Sequence, residues 1–141
     1  MLFRSASSAD IDGFYPTTSP RTKCTFKINT REGYTLELSF KKMSIVGSSR
    51  CFLGYVKVRD GSSATAPLLG TYCNANYNDV ATTGNSMFVE YYAYYEEDTY
   101  KATISSKTVT GGETSKATKT GTNLFYVCLV QGNVHKKWSI I

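Results

Sequence analysis

Apolar and polar positions alternate along this chain in short runs. In Cys24–Ile28, "CTFKI", every second residue is apolar, the period of a strand with one buried face. "YTLELSF" follows the turn "REG" with Tyr34, Leu36, Leu38 and Phe40 on one side, so 25–40 is expected to form a hairpin closed at Gly33. "YVKVRDG" places Val56 and Val58 together, and "PLLGTYC" reads as a shorter strand. The strongest pattern is Met87–Tyr95, "MFVEYYAYY", with Met87, Val89, Tyr91 and Tyr95 expected in the core and Phe88, Glu90, Tyr92 and Tyr94 on the other face. "TYKATI" (99–104) is the next strand. "NLFYVCLV" (123–130) is apolar on both sides and is expected to be a buried strand. No window carries the three-and-four spacing of an amphipathic helix. Many short strands separated by turn signals predict an all-β, antiparallel two-sheet sandwich or barrel.

The remaining segments set the domain limits. Residues 1–12 read as an N-terminal arm and 13–130 as one domain. Residues 105–122, "SSKTVTGGETSKATKTGT", read as a long polar hairpin or linker, and 131–141 as a basic tail. At 141 residues, one domain can enclose a core. Aromatics make up 13% of the chain and include 11 tyrosines, which favours strands. The charge of +5 would suit an anionic partner, but Lys101, Lys107, Lys116 and Lys119 are scattered through polar sequence, where they serve solubility first.

The 4 cysteines, Cys24, Cys51, Cys73 and Cys128, are widely spaced, with no C-x-x-C pair and a single histidine, His135. That excludes zinc-ligand spacing and favours a disulfide framework, hence an oxidising, extracellular compartment. No apolar run is long enough to span a bilayer, and "MLFRSASSADIDG" lacks the apolar centre of a secretory signal. The chain is therefore expected to be a module cut from a secreted or cell-surface precursor. There is no G-x-S-x-G elbow, no G-x-G-x-x-G and no Walker loop, so no enzyme and no cofactor is expected. An RNA-binding strand signature is also missing, which sets nucleic acid aside as a partner.

In order, "CTFKI", "GYTLELSF", Cys51, "YVKVRDG", "APLLGTYC", "TTGNSMFVEYY" and "YKATI" resemble a CUB domain, over residues 13 to 104. The resemblance implies a jelly-roll-like sandwich that serves as an extracellular protein- or glycan-binding module. It also implies a Cys51–Cys73 disulfide, closing the loop that contains "DGSSATAP". The usual first cysteine has no counterpart here, and Cys128 lies beyond the usual end. Two readings follow for Cys24: a bond to Cys128, or to a cysteine preceding this fragment. Many members of the family hold calcium with three acidic side chains, whose positions correspond to Val46, Gly54 and Tyr94. None of the three is acidic, so no metal is expected, and a calorimetric titration with calcium checks this. The run Glu96, Glu97, Asp98 is read as a solvated turn.

These readings lead to a non-enzymatic interaction module whose candidate contacts are exposed loop residues and an aromatic face. Arg59, Asp60, Ser62 and Ser63 lie on one loop and Tyr77 and Asn78 on another, with Tyr92 and Tyr94 on the face. The expected partner is an extracellular protein or glycan. Two alternatives stand beside it: an accessory domain that positions substrate for a secreted protease on the same precursor, and a stand-alone glycan binder resembling seminal-plasma lectins.

Overall fold

A computed structural model of the chain describes residues 8–12, 21–46, 49–75, 77–95, 97–108, 122–130 and 133–140. The described residues form strands and no helix, in the order β1 (Ser8–Asp12), β2 (Thr22–Asn29), β3 (Tyr34–Ser44), β4 (Tyr55–Arg59), β5 (Leu68–Tyr72), β6 (Val80–Ala81), β7 (Ser86–Ala93), β8 (Thr99–Thr108), β9 (Asn123–Val130) and β10 (Asn133–Ile140). Two antiparallel sheets result. One has four strands in the order β1-β8-β3-β6, and the other six in the order β10-β9-β2-β7-β4-β5. This is the two-sheet sandwich that the alternation predicts.

Period-two patterning builds the core from both sheets at once. Cys24, Phe26 and Ile28 of β2, Val56 and Val58 of β4, and Met87, Val89 and Tyr91 of β7 point inward from the larger sheet. Leu36, Leu38 and Phe40 of β3 meet them with Tyr100, Ala102 and Ile104 of β8. Each large apolar side chain fully withdrawn from water contributes roughly 1.5–3 kcal/mol, so these two faces supply most of the drive to fold. Cys24 is bonded to Cys128 across the β2–β9 pair, and Cys51 to Cys73 across the loop that carries β4 and β5. By restricting the unfolded chain, closures of 104 and 22 residues contribute about 4.7 and 3 kcal/mol respectively.

Four expectations need correction. β2 and β3 are not a hairpin, because they lie in different sheets and the chain crosses between them through a turn with Gly33 at φ 92°. Alternation shows that each strand has one buried face, and two strands facing each other across a sandwich satisfy it as well as two paired side by side. Next, β9 is buried on one side only. Its outer face leaves Leu129 47% exposed, although β2 and β10 flank it. Residues 8–12 are a strand beside β8, and 133–140 a strand beside β9, where the sequence reads as arm and tail. Weakly patterned segments pair there because the neighbouring strand supplies the hydrogen-bonding template. Finally, β8 continues through Thr108, so 105–108 belong to the sheet; the rest of the polar stretch, 109–121, lies outside the described residues.

Candidate functional site

The outer face of the six-stranded sheet is ordered by its registers into rows. Lys23, Tyr92 and Tyr55 lie side by side on β2, β7 and β4; Thr25, Glu90 and Lys57 form the next row, and Lys27, Phe88 and Arg59 the third. β9 extends the rows with Leu129, Val127 and Phe125, and β5 extends the last two with Thr71 and Leu68. Val134, Lys136 and Trp138 of β10 occupy the matching register positions beside β9.

Aromatic rings and cations are interleaved on this face. The rings of Tyr55 and Tyr92 are 5.7 Å apart, and those of Tyr92 and Tyr94 6.4 Å apart. Lys57 Nζ stands 4.8 Å from the centre of the Tyr55 ring, and the Arg21 guanidinium 4.9 Å from that of Tyr94. Arg21 also donates to Tyr94 Oη at 3.3 Å. Glu90 is the one carboxylate in the three rows and is already engaged: it accepts from Tyr55 Oη at 3.0 Å and pairs with Lys23 Nζ at 3.4 Å. Burial first, then the Glu90 charge, pushes the Tyr55 phenol up to about 12, so it stays protonated and keeps donating. Phe88 faces outward, yet only 6% of it is exposed. Its row neighbours are Lys27, which is exposed, and Arg59, whose Nε is buried and whose Nη1 donates to the Ala66 carbonyl, and their long apolar stems can cover the ring.

The structure sets the candidate residues in three separate places. Tyr92 and Tyr94 join the face just described. Arg59, the last residue of β4 and part of the third row, and Asp60, the first of the β4–β5 loop, lie at one end of the sandwich, where they tie loops together. Arg59 Nη1 donates to the Ala66 carbonyl at 3.0 Å, while Asp60 accepts from Thr83 N at 3.0 Å and Thr83 Oγ1 at 2.8 Å. Ser63 Oγ is bonded to Thr65, and Ser62 is exposed. Tyr77 and Asn78 lie on the β5–β6 connection, with the Tyr77 ring 5.7 Å from that of Phe40. Tyr95, expected in the core, is 42% exposed, because the strand ends at Ala93 and the chain bends before reaching it. Phe88 is the converse correction, buried on the face expected to be open.

The end of the sandwich opposite the β4–β5 loop holds the three positions that matter for calcium. Val46, Gly54 and Tyr94 converge there on Asp98, which is 2% exposed and is therefore no solvated turn residue. Its Oδ1 accepts from Val46 N at 3.1 Å, and its Oδ2 from Tyr94 N and Tyr95 N, each at 3.0 Å. Tyr91 Oη donates to the Asp98 carbonyl at 2.5 Å. A Cβ at Gly54 would lie 2.6 Å from Ile45 Cγ2 and 2.9 Å from Asp98 Oδ2, so no acidic side chain fits at that position. Calcium needs six to eight oxygens, most of its attraction coming from carboxylates. Here the local carboxylate is committed to three backbone N–H groups, and no cluster of three or more His, Cys, Asp or Glu that could hold a metal occurs among the described residues. The residues present do not fit the ion.

Sequence reasoning missed Arg21, Lys23, Tyr55, Lys57, Glu90 and Asp98. The alternation in "YVKVR" already separates Tyr55, Lys57 and Arg59 from the core valines. What it lacks is the strand order that brings them beside β2 and β7.

Two disulfides binding a two-sheet antiparallel shell define a stapled β-sandwich. A family profile, the CUB domain, matches residues 4–104, and the chain belongs to that family. CUB domains occur in secreted and extracellular proteins as protein-interaction modules and are generally not catalytic. The chain is 38% identical over 73 residues to "Bone morphogenetic protein 1 homolog" of Strongylocentrotus purpuratus, a match covering 51% of this chain and 11% of that protein. It is 35% identical over 71 residues to "Exoskeleton protein RP43" of Riftia pachyptila (49% and 17%) and 30% identical over 69 residues to "Cubilin" of Canis lupus familiaris (48% and 2%). These relatives are thus many times longer than the stretch they share with it. The CUB1-EGF-CUB2 domain of human MASP-1/3 superposes with a TM-score of 0.57 at 21% identity, over 73% of this chain and 43% of that one, which shows the fold. No helix among the described residues is long and apolar enough to cross a membrane.

Proposed function

We propose that the chain is a non-enzymatic extracellular interaction module whose working surface is the outer face of the six-stranded sheet. The observation that carries this reading is the concentration of charge and aromatic area there. Arg21, Lys23, Lys27, Lys57 and Arg59 stand on or beside that face with one carboxylate, Glu90, which pairs with Lys23 and accepts a hydrogen bond from Tyr55. Tyrosine gives large contact area at low entropy cost, and half-buried rings held by neighbouring rings need little further ordering on binding. The Asp60–Ser63 loop and the Tyr77–Asn78 connection are read as scaffold, Asp60 holding Thr83 and the Tyr77 ring lying 5.7 Å from that of Phe40. As in its far longer relatives, the module is read as a binding element, for a protein or a glycan, within a larger extracellular assembly.

The test is capture from extracellular fluid with the disulfide-bonded chain, compared with a Tyr92→Ala/Tyr94→Ala variant and with Ser62→Ala/Ser63→Ala. Partners retained by the native chain should be lost with the tyrosine variant and kept with the serine one. The opposite pattern, with both variants shown folded by near-ultraviolet circular dichroism, would move the working surface to the loop.

A further inference from the structure

We infer that β5 is a docking edge whose occupant is an extended, alternately apolar and acidic peptide of a partner protein, added to the six-stranded sheet as a further strand. The assignment rests on the reading of the adjoining face as the working surface. β5 ends its sheet, and no strand lies beyond it among the described residues. Such an edge presents a row of backbone N–H and C=O groups, and proteins guard it with charge or keep it short. The other sheet ends follow that rule: β1 reads "SADID" and β10 "NVHKKWSI", while β6 has only two residues. β5, "LLGTY", carries no charge, and Leu68 is 49% exposed. The edge is also stiff. Its register bulges at Leu69, a Cβ at Gly70 would run into the Tyr72 ring, and that ring leans on Phe40 at 5.2 Å. Cys73, the next residue, is bonded to Cys51. A template held in this way needs little further ordering when a strand is added.

What completes a sheet edge is another backbone, since only a peptide offers alternating donors and acceptors at strand spacing. Period two then sets its side chains. On the outer side they fall beside Leu68 and Thr71, and the Thr71 row continues to Lys57. Two strand spacings put an added residue about 10 Å from Lys57, a gap that a lysine and a glutamate side chain close together. Arg59 stands behind Leu68 in the same way, although its Nη1 already donates to Ala66. Acidic residues therefore suit the outer side. On the inner side the neighbours are Gly70 and the Tyr72 ring, with Tyr77, 38% exposed, resting on the same Phe40. Apolar residues suit that side. A second copy of this chain fits less well, because each copy would bring its own Lys57, Arg59 and net charge of +5 to the junction.

The test uses a fluorescent heptapeptide of alternating valine and glutamate, titrated by anisotropy into the intact disulfide-bonded chain. Bound peptide should slow amide hydrogen exchange in Leu68–Tyr72 and leave β1 unchanged. Two N-methylated peptides, each blocking one set of alternate amides, should differ: the set that faces β5 should weaken binding roughly tenfold or more, the other little. Leu68→Glu/Thr71→Glu sets like charges beside the peptide and should cost roughly tenfold. Thr35→Glu/Thr103→Glu, the same charge change on the other sheet, should cost no more than about threefold. Equal affinity of the two N-methylated peptides would overturn the assignment, as would equal losses from the two variants or protection outside β5. Equal affinity for a valine–lysine peptide would overturn the acidic partner. A chain that is dimeric by sedimentation and becomes monomeric in Leu68→Glu/Thr71→Glu would put a second copy on β5 instead. If no peptide binds while a captured extracellular partner remains sensitive to Tyr92→Ala/Tyr94→Ala, the added strand is wrong and the working surface stands. If both fail, the functional reading falls with it.

Discussion

The two sheets turn similar inner faces toward one core and very different outer faces toward water. On the four-stranded sheet, Thr35, Ser39 and Thr103 are set among Lys42, Lys101, Lys107 and Glu37, with Asp10 and Asp12 at register positions on β1. Lysines outnumber the one described carboxylate there too, but among the described residues no large apolar side chain shares the surface, as expected of a face that only has to stay wet. On the six-stranded sheet, cations outnumber carboxylates, and Tyr55, Phe88 and Tyr92 cover the middle strands. Both faces obey the same alternation, which distinguishes inside from outside but says nothing of which outside does more than dissolve the protein. The difference arises from strand order, because β2, β7 and β4 are neighbours and their outward residues become one surface.

The comparison can be broken or sharpened by substitution, and the largest effect is expected at the rim of the basic face. Asp98→Ala leaves three backbone N–H groups without their acceptor and should cost about 3 kcal/mol or more in urea unfolding. Because two of those groups belong to Tyr94 and Tyr95, any folded fraction should also lose ligand contact on that face; unchanged stability would show that the carboxylate does not hold this end. Next comes Phe88→Ala. Removing a buried ring from a nominally exterior face should destabilise by about 2–3 kcal/mol, while Thr103→Ala on the opposite sheet should stay within about 0.5 kcal/mol. Similar values for the two would erase the distinction between the faces.

The acidic residues give a smaller contrast. Glu90→Gln weakens the Lys23 pair and the bond from Tyr55, and should cost about 1 kcal/mol. Glu37→Gln breaks an exposed pair with Lys107 and should cost about 0.5 kcal/mol or less. The smallest effect is confined to alkaline solution. The Tyr55 phenol is raised in the folded state from 10.0 to about 12, so its contribution to stability is complete below pH 10 and is lost as pH rises toward 12, where the unfolded chain already ionises. Ultraviolet titration should show a late-ionising phase to which Tyr72, raised by burial, also contributes, and which loses one tyrosine in Tyr55→Phe and shifts in part to lower pH in Glu90→Gln. A late phase of unchanged amplitude in Tyr55→Phe would assign it to other residues.

Much of the fold was legible in the sequence because period two is a local property. Met87, Val89 and Tyr91 fall in the core where the alternation puts them, and so do Leu36, Leu38 and Phe40. Tyr95 does not, because alternation has no force once the strand has ended. The edge strands β1 and β10 were illegible for a related reason: a neighbour's free hydrogen-bonding groups recruit them, and their own pattern does little. Of the candidate contacts, Tyr92 and Tyr94 entered through their unusual composition. Lys57 and Arg21 carry no such signal and acquire meaning only beside the rings that they cover. Asp98 was misread because a run of three acids resembles a solvated turn until backbone N–H groups from two loops are seen to point at one of them.

By itself, then, the sequence determined the all-β class, the inward face of each central strand, the cysteines available for stapling and, through its resemblance, the family. Each depends on nearest neighbours in the chain, or on residue types in a fixed order. The tertiary structure decided which strands became neighbours, and with them the face where Tyr55, Tyr92 and the flanking cations meet, and the aspartate that gathers the loops. Those depend on contacts between residues dozens of positions apart, whose pairing is set by the packing of two sheets around one core.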